Sequence, residues 1–195
     1  MKTPLTCLFT LLLTWHGLSQ SVPSVEIQIK TALYAAPEEL KEKAMVYGYS
    51  DKGEFIVIRK GTNDLVCLAD DASVPGLNVS CYHKSLDPFM ERGRQLKKEG
   101  KSFQESFDAR EKEVKNGKLK MPDKATLFVC TAPKENFNQE TGEATDPYTR
   151  AVVYIPFATA ETTGLPLKPS APGMPWIMDP GTFRAHIMIN PPKKP

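Results

Sequence analysis

His186 keeps the richest chemical company in the chain: Trp176, Asp179 and Arg184 all lie within the ten residues before it. Facing a pocket, a neutral imidazole there would serve as a general base, with Asp179 or Glu161 orienting it. Arg184, two residues away on the same face of an extended segment, would clamp an anionic substrate. His186, Asp179, Arg184 and Glu161 together describe a small hydrolase-like or metal-assisted enzyme. Each also has a plainer role. A lone histidine in a terminal strand is more often a hydrogen-bonded structural residue, and Glu161 more often belongs to a helical turn capped by Thr159.

Other chemistry is thinner. His186 and Met188, with Met178 and Met174 nearby, are imidazole and thioether groups of the kind that suit copper. Methionines in apolar company usually fill core gaps, so no metal site and no cofactor is assigned. His83 follows Cys81 by two residues, but a Cys–His nucleophilic pair would need that thiol free. The chain has no Gly-x-Ser-x-Gly elbow, no His-Glu-x-x-His helix and no Gly-x-x-x-x-Gly-Lys loop.

The first 21 residues set the compartment. Lys2, an apolar run from Leu5 to Leu13, and small Ser19 and Ser21 have the layout of a secretory signal peptide, cleaved before Val22. The run is too short for a membrane span, which takes roughly 20 apolar residues. About 170 residues remain, enough for one domain over 22–190, with 191–195 as a disordered tail. Charged residues make up 25% of the chain and the net charge is only +2, which argues against nucleic acid as a partner. Beyond the leader no stretch reaches membrane-spanning length, so no span is expected after cleavage.

Cys67, Cys81 and Cys130 stay behind, in a compartment where a bridge is expected. Cys67 and Cys81 flank the turn-rich segment 69–80, and joining them would close a loop of about 15 residues for on the order of 3 kcal/mol. That pair is preferred over either pairing with Cys130, which sits in an apolar run.

The elements that must position these groups read as α+β. A helix is predicted over 24–36, with Val25, Ile29, Ala32, Leu33 and Ala36 on its apolar face. Met45–Tyr49, Phe55–Arg59 and Leu65–Leu68 form a three-stranded meander, entered through the hairpin signal Ser50-Asp-Lys-Gly53. Residues 70–78 form a loop closed by Cys81. Asp87 caps a helix that ends at Gly100, and Ser102 with Glu105 is a capping box for a second one ending at Gly117. Ala125–Ala132, Ala151–Phe157 and Arg184–Ile189 are strands, with a long turn-rich connection over 133–149. The sum is a largely antiparallel sheet of about six strands with two to four helices gathered on one side.

The segment from Ala36 to Tyr49, Arg59-Lys-Gly-Thr-Asn63, Val66-Cys67-Leu-Ala-Asp-Asp71, Pro75-Gly76, Cys81 and His186-Ile-Met-Ile189 together resemble a group of secreted bacterial proteins described only as hypothetical exported proteins. The resemblance implies bacterial export, to the periplasm or beyond, and supports pairing Cys67 with Cys81. It transfers no activity to any residue. Lacking a reaction-specific motif, the chain reads first as a non-catalytic exported domain that binds an unknown small ligand, an envelope component or another protein. The alternative is the His186-centred enzyme.

Overall fold

A computed structural model describes residues 22–192, so the signal-peptide reading over 1–21 and the end of the predicted tail lie outside the described residues. Its centre is an eight-stranded sheet in the order β2-β1-β3-β4-β5-β8-β10-β9. The strands are β1 (Met45–Tyr49), β2 (Phe55–Arg59), β3 (Leu65–Leu68), β4 (Leu77–His83), β5 (Ala125–Ala132), β8 (Tyr148–Tyr154), β9 (Trp176–Met178) and β10 (His186–Ile189). A separate hairpin joins β6 (Phe137–Asn138) to β7 (Glu143–Ala144). The helices are α1 (Val25–Ala32), α2 (Asp87–Lys98), α3 (Phe103–Lys115) and the short α4 (Ala160–Thr163). The class is α+β and the sheet mostly antiparallel, with eight strands where about six were expected.

The first three strands do not form a meander. β1 and β2 pair as the predicted hairpin, but β3 lies on the other side of β1 and parallel to it, with Met45 opposite Val66. The chain leaving β2 must therefore pass under the start of β1. Gly61 makes this crossing possible: a Cβ there would sit 2.2 Å from the Met45 nitrogen. The Thr62 and Asn63 amides then donate to the Lys43 carbonyl, and the Arg59 guanidinium donates to the carbonyls of Ala44 and Lys41.

β4 occupies part of what reads as a loop. Beyond the Pro75-Gly76 turn the chain runs straight for seven residues, between β3 and β5. Cys67 and Cys81 are direct partners across β3 and β4 and form the disulfide, while Cys130 is a buried free thiol.

The helices are not gathered on one side. Leu65, Cys67, Leu77, Val79, Cys81 and Cys130 pack toward α1, in a core made narrow by Ala32, Ala35 and Ala36. Val66, Tyr82, Leu127, Val152 and Tyr154 face the other way, toward Phe89 of α2, with Phe107 and Val114 of α3 packed against that cluster. Central strands must be apolar on both faces to support two such layers.

The helix starts follow their caps. Ser24 accepts from the Ile27 amide, and Ser102 with Glu105 closes a reciprocal capping box on α3. The predicted apolar face packs on the core through Ile29, Ala32, Leu33 and Ala36, while Val25 is exposed and polar Gln28 and Thr31 join the buried side. Gln28 earns that position by acting as a substitute backbone. Its amide donates to the Tyr49 and Pro23 carbonyls and accepts from the Tyr49 amide, docking α1 on the end of β1. The connection over 133–149 is structured too: Lys30 of α1 pairs with Glu143, and the Ala144 amide donates to the Tyr34 hydroxyl.

Candidate functional site

His186 opens β10, opposite Tyr154 of β8 and Met178 of β9. It is only 5% exposed, and its ring lies against Tyr154 with centroids 5.3 Å apart. Nδ1 stands 2.6 Å from the Arg184 carbonyl oxygen, which can only accept, so Nδ1 carries the proton and Nε2 is the bare nitrogen. Burial pushes the imidazole pKa below its ordinary value, although the bond to Arg184 works against this. The ring is neutral at pH 7 and oriented by backbone, not by Asp179 or Glu161.

Arg184 and Asp179 are committed to each other. Nε of Arg184 is 2.9 Å from Oδ2 of Asp179, an ion pair too bent to be a hydrogen bond. Asp179 holds a left-handed backbone, φ 51°, and the Thr182 hydroxyl donates to its carbonyl, closing the turn that leads into β10. The guanidinium of Arg184 lies over the rings of Phe103 and Phe107, under α3. Arg110 adds a second cation at this end, 4.5 Å above the Phe89 ring and close to the bare Cα of Gly93, where a Cβ would fall 3.1 Å from its Nη1. Phe183, fully buried, packs edge-on to Phe89 and Phe107 and closes the cluster.

The remaining predicted groups are dispersed. Glu161 is exposed in the first turn of α4, whose capping box is Thr159 with Thr162, and the Thr159 hydroxyl lowers the Glu161 carboxyl pKa. His83 accepts from the Ser85 amide and caps the turn Lys84–Leu86, and Cys81 is spent in the disulfide, so no Cys–His pair exists there. Met178 stands opposite His186, Met188 packs on the core and Met174 is exposed. Among the described residues no three His, Cys, Asp or Glu side chains gather as a metal site. Shallow surface hollows of about 520 Å³ beside the β6–β7 hairpin and about 470 Å³ beside Met121 and Phe157 lie away from these groups. No helix among the described residues is long and apolar enough to cross a membrane.

The chain matches no protein-family model, no curated protein and no solved structure.

A second constellation, at the opposite end of the sheet, is more open. Tyr47 and Tyr49 alternate along β1 on the α2 face, and Phe55 of β2 stacks on Tyr47 at 5.4 Å and meets Tyr49 edge-on at 5.3 Å. The Arg94 guanidinium of α2 lies 5.1 Å from the Phe55 ring and 5.5 Å from the Tyr47 ring. Asp87, expected as a helix cap, instead accepts from the buried Tyr82 hydroxyl at 2.7 Å and stands 3.7 Å from Arg94. Asp70 lies at the rim, accepting from the Asn78 amide, and burial lifts its pKa to about 6. All three rings are partly buried, with part of each open to solvent. The signal for this face is in the sequence: Tyr47 and Tyr49 are two apart, and the hairpin turn folds Phe55 back onto them.

Proposed function

We propose that this chain is a non-catalytic binding domain, exported from a bacterial cell and working in the periplasm or beyond it. It engages its target through the face formed by Tyr47, Tyr49, Phe55 and Arg94. The observation that carries this reading is the contrast in exposure. The rings of Tyr47, Tyr49 and Phe55 are partly open to solvent, whereas His186 is 5% exposed and Phe183 is fully buried; the Arg94–Asp87 and Arg184–Asp179 pairs are about equally accessible. Tyr, Phe and Arg supply rigid contact area and directed polar groups at little entropic cost, which is why such residues anchor recognition. The chemistry fits a target with a flat apolar face and a polar rim, such as an envelope saccharide. The Cys67–Cys81 bridge supports an oxidising compartment.

The alternative enzyme is favoured by one observation, the bare Nε2 of His186 beside Tyr154 and Arg184. A thermal-shift screen of the oxidised protein against sugars, nucleotides, fatty acids and metals, with Arg94→Ala and His186→Ala alongside, separates the two. A ligand that raises the Tm of the wild type and of His186→Ala, but not of Arg94→Ala, supports the binding face. A shift lost only in His186→Ala sinks it in favour of the enzyme.

A further inference from the structure

β2 is one outer strand of the sheet, so one row of its backbone N–H and C=O groups has no ladder partner. Its stretch Phe55-Ile-Val-Ile58 carries no charge and no proline, so what guards this edge is its shortness, the bulge against β1 and the terminal Arg59. Ile56 and Val57 are each 42% exposed. Neighbouring strand residues point to opposite faces, so the strand shows apolar surface on both sides of the sheet.

We infer that β2 is a self-association edge, where two copies of this chain pair antiparallel about a two-fold axis through Val57. The occupant is named by the charges that bracket the strand. In this register Glu54 of one copy faces Lys60 of the other, Ile56 faces Ile58, and Val57 faces its own equivalent. Both charge pairs are attractive and the middle is apolar, so the strand is complementary to itself. Sliding the centre to Ile56 sets Lys52 against Lys60, and sliding it to Ile58 sets Ile56 against Lys60. The Val57-centred register also sets Phe55 against Arg59, whose guanidinium is held by the Ala44 and Lys41 carbonyls, but among these three it alone pairs opposite charges and joins Ile56 to Ile58. Pairing against β1 is regular from Phe55 to Val57 and slips at Ile58, whose side chain leans over Gly48.

The dimer continues the sheet from one copy into the next. Phe55 and Val57 share the face that carries Tyr47 and Arg94, so a two-fold axis normal to the sheet sets both aromatic faces on one side. Two weak sites would then act together on a repetitive target. The pairing itself needs no ligand and stands apart from the function proposed above.

Sedimentation velocity of the purified, oxidised protein over a range of concentrations tests it. The expected result is a monomer–dimer equilibrium that Val57→Lys abolishes. Glu54→Lys sets two like-charge pairs into the interface and should weaken the dimer about tenfold, while Glu54→Lys with Lys60→Glu should restore it. Glu54 and Lys60 are exposed, and a circular dichroism spectrum matching the wild type shows that these variants still fold. A wild type that stays monomeric throughout overturns the proposal. So does a dimer indifferent to Val57→Lys, or one that the double charge swap fails to rescue.

Discussion

The two ends of the sheet use the same parts to opposite effect. At each, a guanidinium lies over two aromatic rings and near an aspartate: Arg184 with Phe103, Phe107 and Asp179, and Arg94 with Tyr47, Phe55 and Asp87. At the β10 end Phe183 is fully buried and Phe107 packs on the core, while Phe103 stays 69% exposed on the outside of α3. At the β2 end the sheet stops and no element covers the rings fully, so all three keep part of their surface in solvent and none is fully buried. Residue type and spacing describe what a cluster could do; the covering layer decides whether anything reaches it.

The sharpest way to break this comparison is to truncate one ring at each end. Phe183→Ala removes a fully buried side chain that meets two other rings, and should cost about 3–5 kcal/mol. Phe55→Ala removes a partly buried one and should cost less than half as much, about 1–2 kcal/mol. Urea denaturation of both variants measures the difference. Equal losses would mean that the β2 end is core as well, and the binding face would lose its basis.

Two arginine truncations sharpen the same contrast at smaller scale. Arg184→Ala leaves Asp179 unpaired in a partly buried turn and should cost about 1–2 kcal/mol. Arg94→Ala opens more ring surface to water and should cost under about 1 kcal/mol, because its partner Asp87 keeps the Tyr82 hydroxyl. Thermal melts of the pair give the order. An Arg94 variant less stable than the Arg184 variant would make Arg94 a structural clamp.

Much of this was legible beforehand, and what was not has physical causes. The Ser102–Glu105 capping box, the hairpin into β2, the run of β5 and the preferred cysteine pair depend on local chemistry and stand as read. The parallel placement of β3 depends on a crossing that rests on Gly61 and the Arg59 side chain, and no periodicity encodes it. β4 is masked because its start follows a Pro-Gly turn and mixes Asn78 and Ser80 with buried Val79 and Cys81. The two-sided core did leave a trace: Leu65-Val-Cys-Leu68 is apolar without alternation, the pattern of a strand covered on both faces. The residues around His186 are legible as a polar cluster, but spacing cannot distinguish a pocket from a packed turn. The aromatic face is not legible as a site in the sequence, because Tyr47, Tyr49 and Phe55 also read as ordinary strand residues.

The finest discriminator is pH, because one buried titratable group sits near each end and the two pull in opposite directions. Asp70 titrates at about 6 in the folded chain against an ordinary value of 3.8, so the folded state takes up its proton first. Its contribution to stability is fully present below 3.8 and is lost as the pH rises through about 6. His186 is held below the ordinary 6.5, so the unfolded chain takes up that proton first, and stability falls as the pH drops through 6.5 toward the folded value. Between pH 7 and pH 5 the two effects partly cancel in the wild type. Asp70→Asn can still accept from the Asn78 amide; it should raise Tm at pH 7, raise it by less at pH 5, and leave a steeper loss on acidification. His186→Gln should do the reverse, leaving a protein that gains stability from pH 7 to pH 5. Melts of the three proteins across that window decide it. If His186→Gln keeps the wild-type slope, the imidazole is not as enclosed as the fold places it and the β10 end is not sealed; if Asp70→Asn does, the Asp70 carboxyl stands freer in solvent than its site implies.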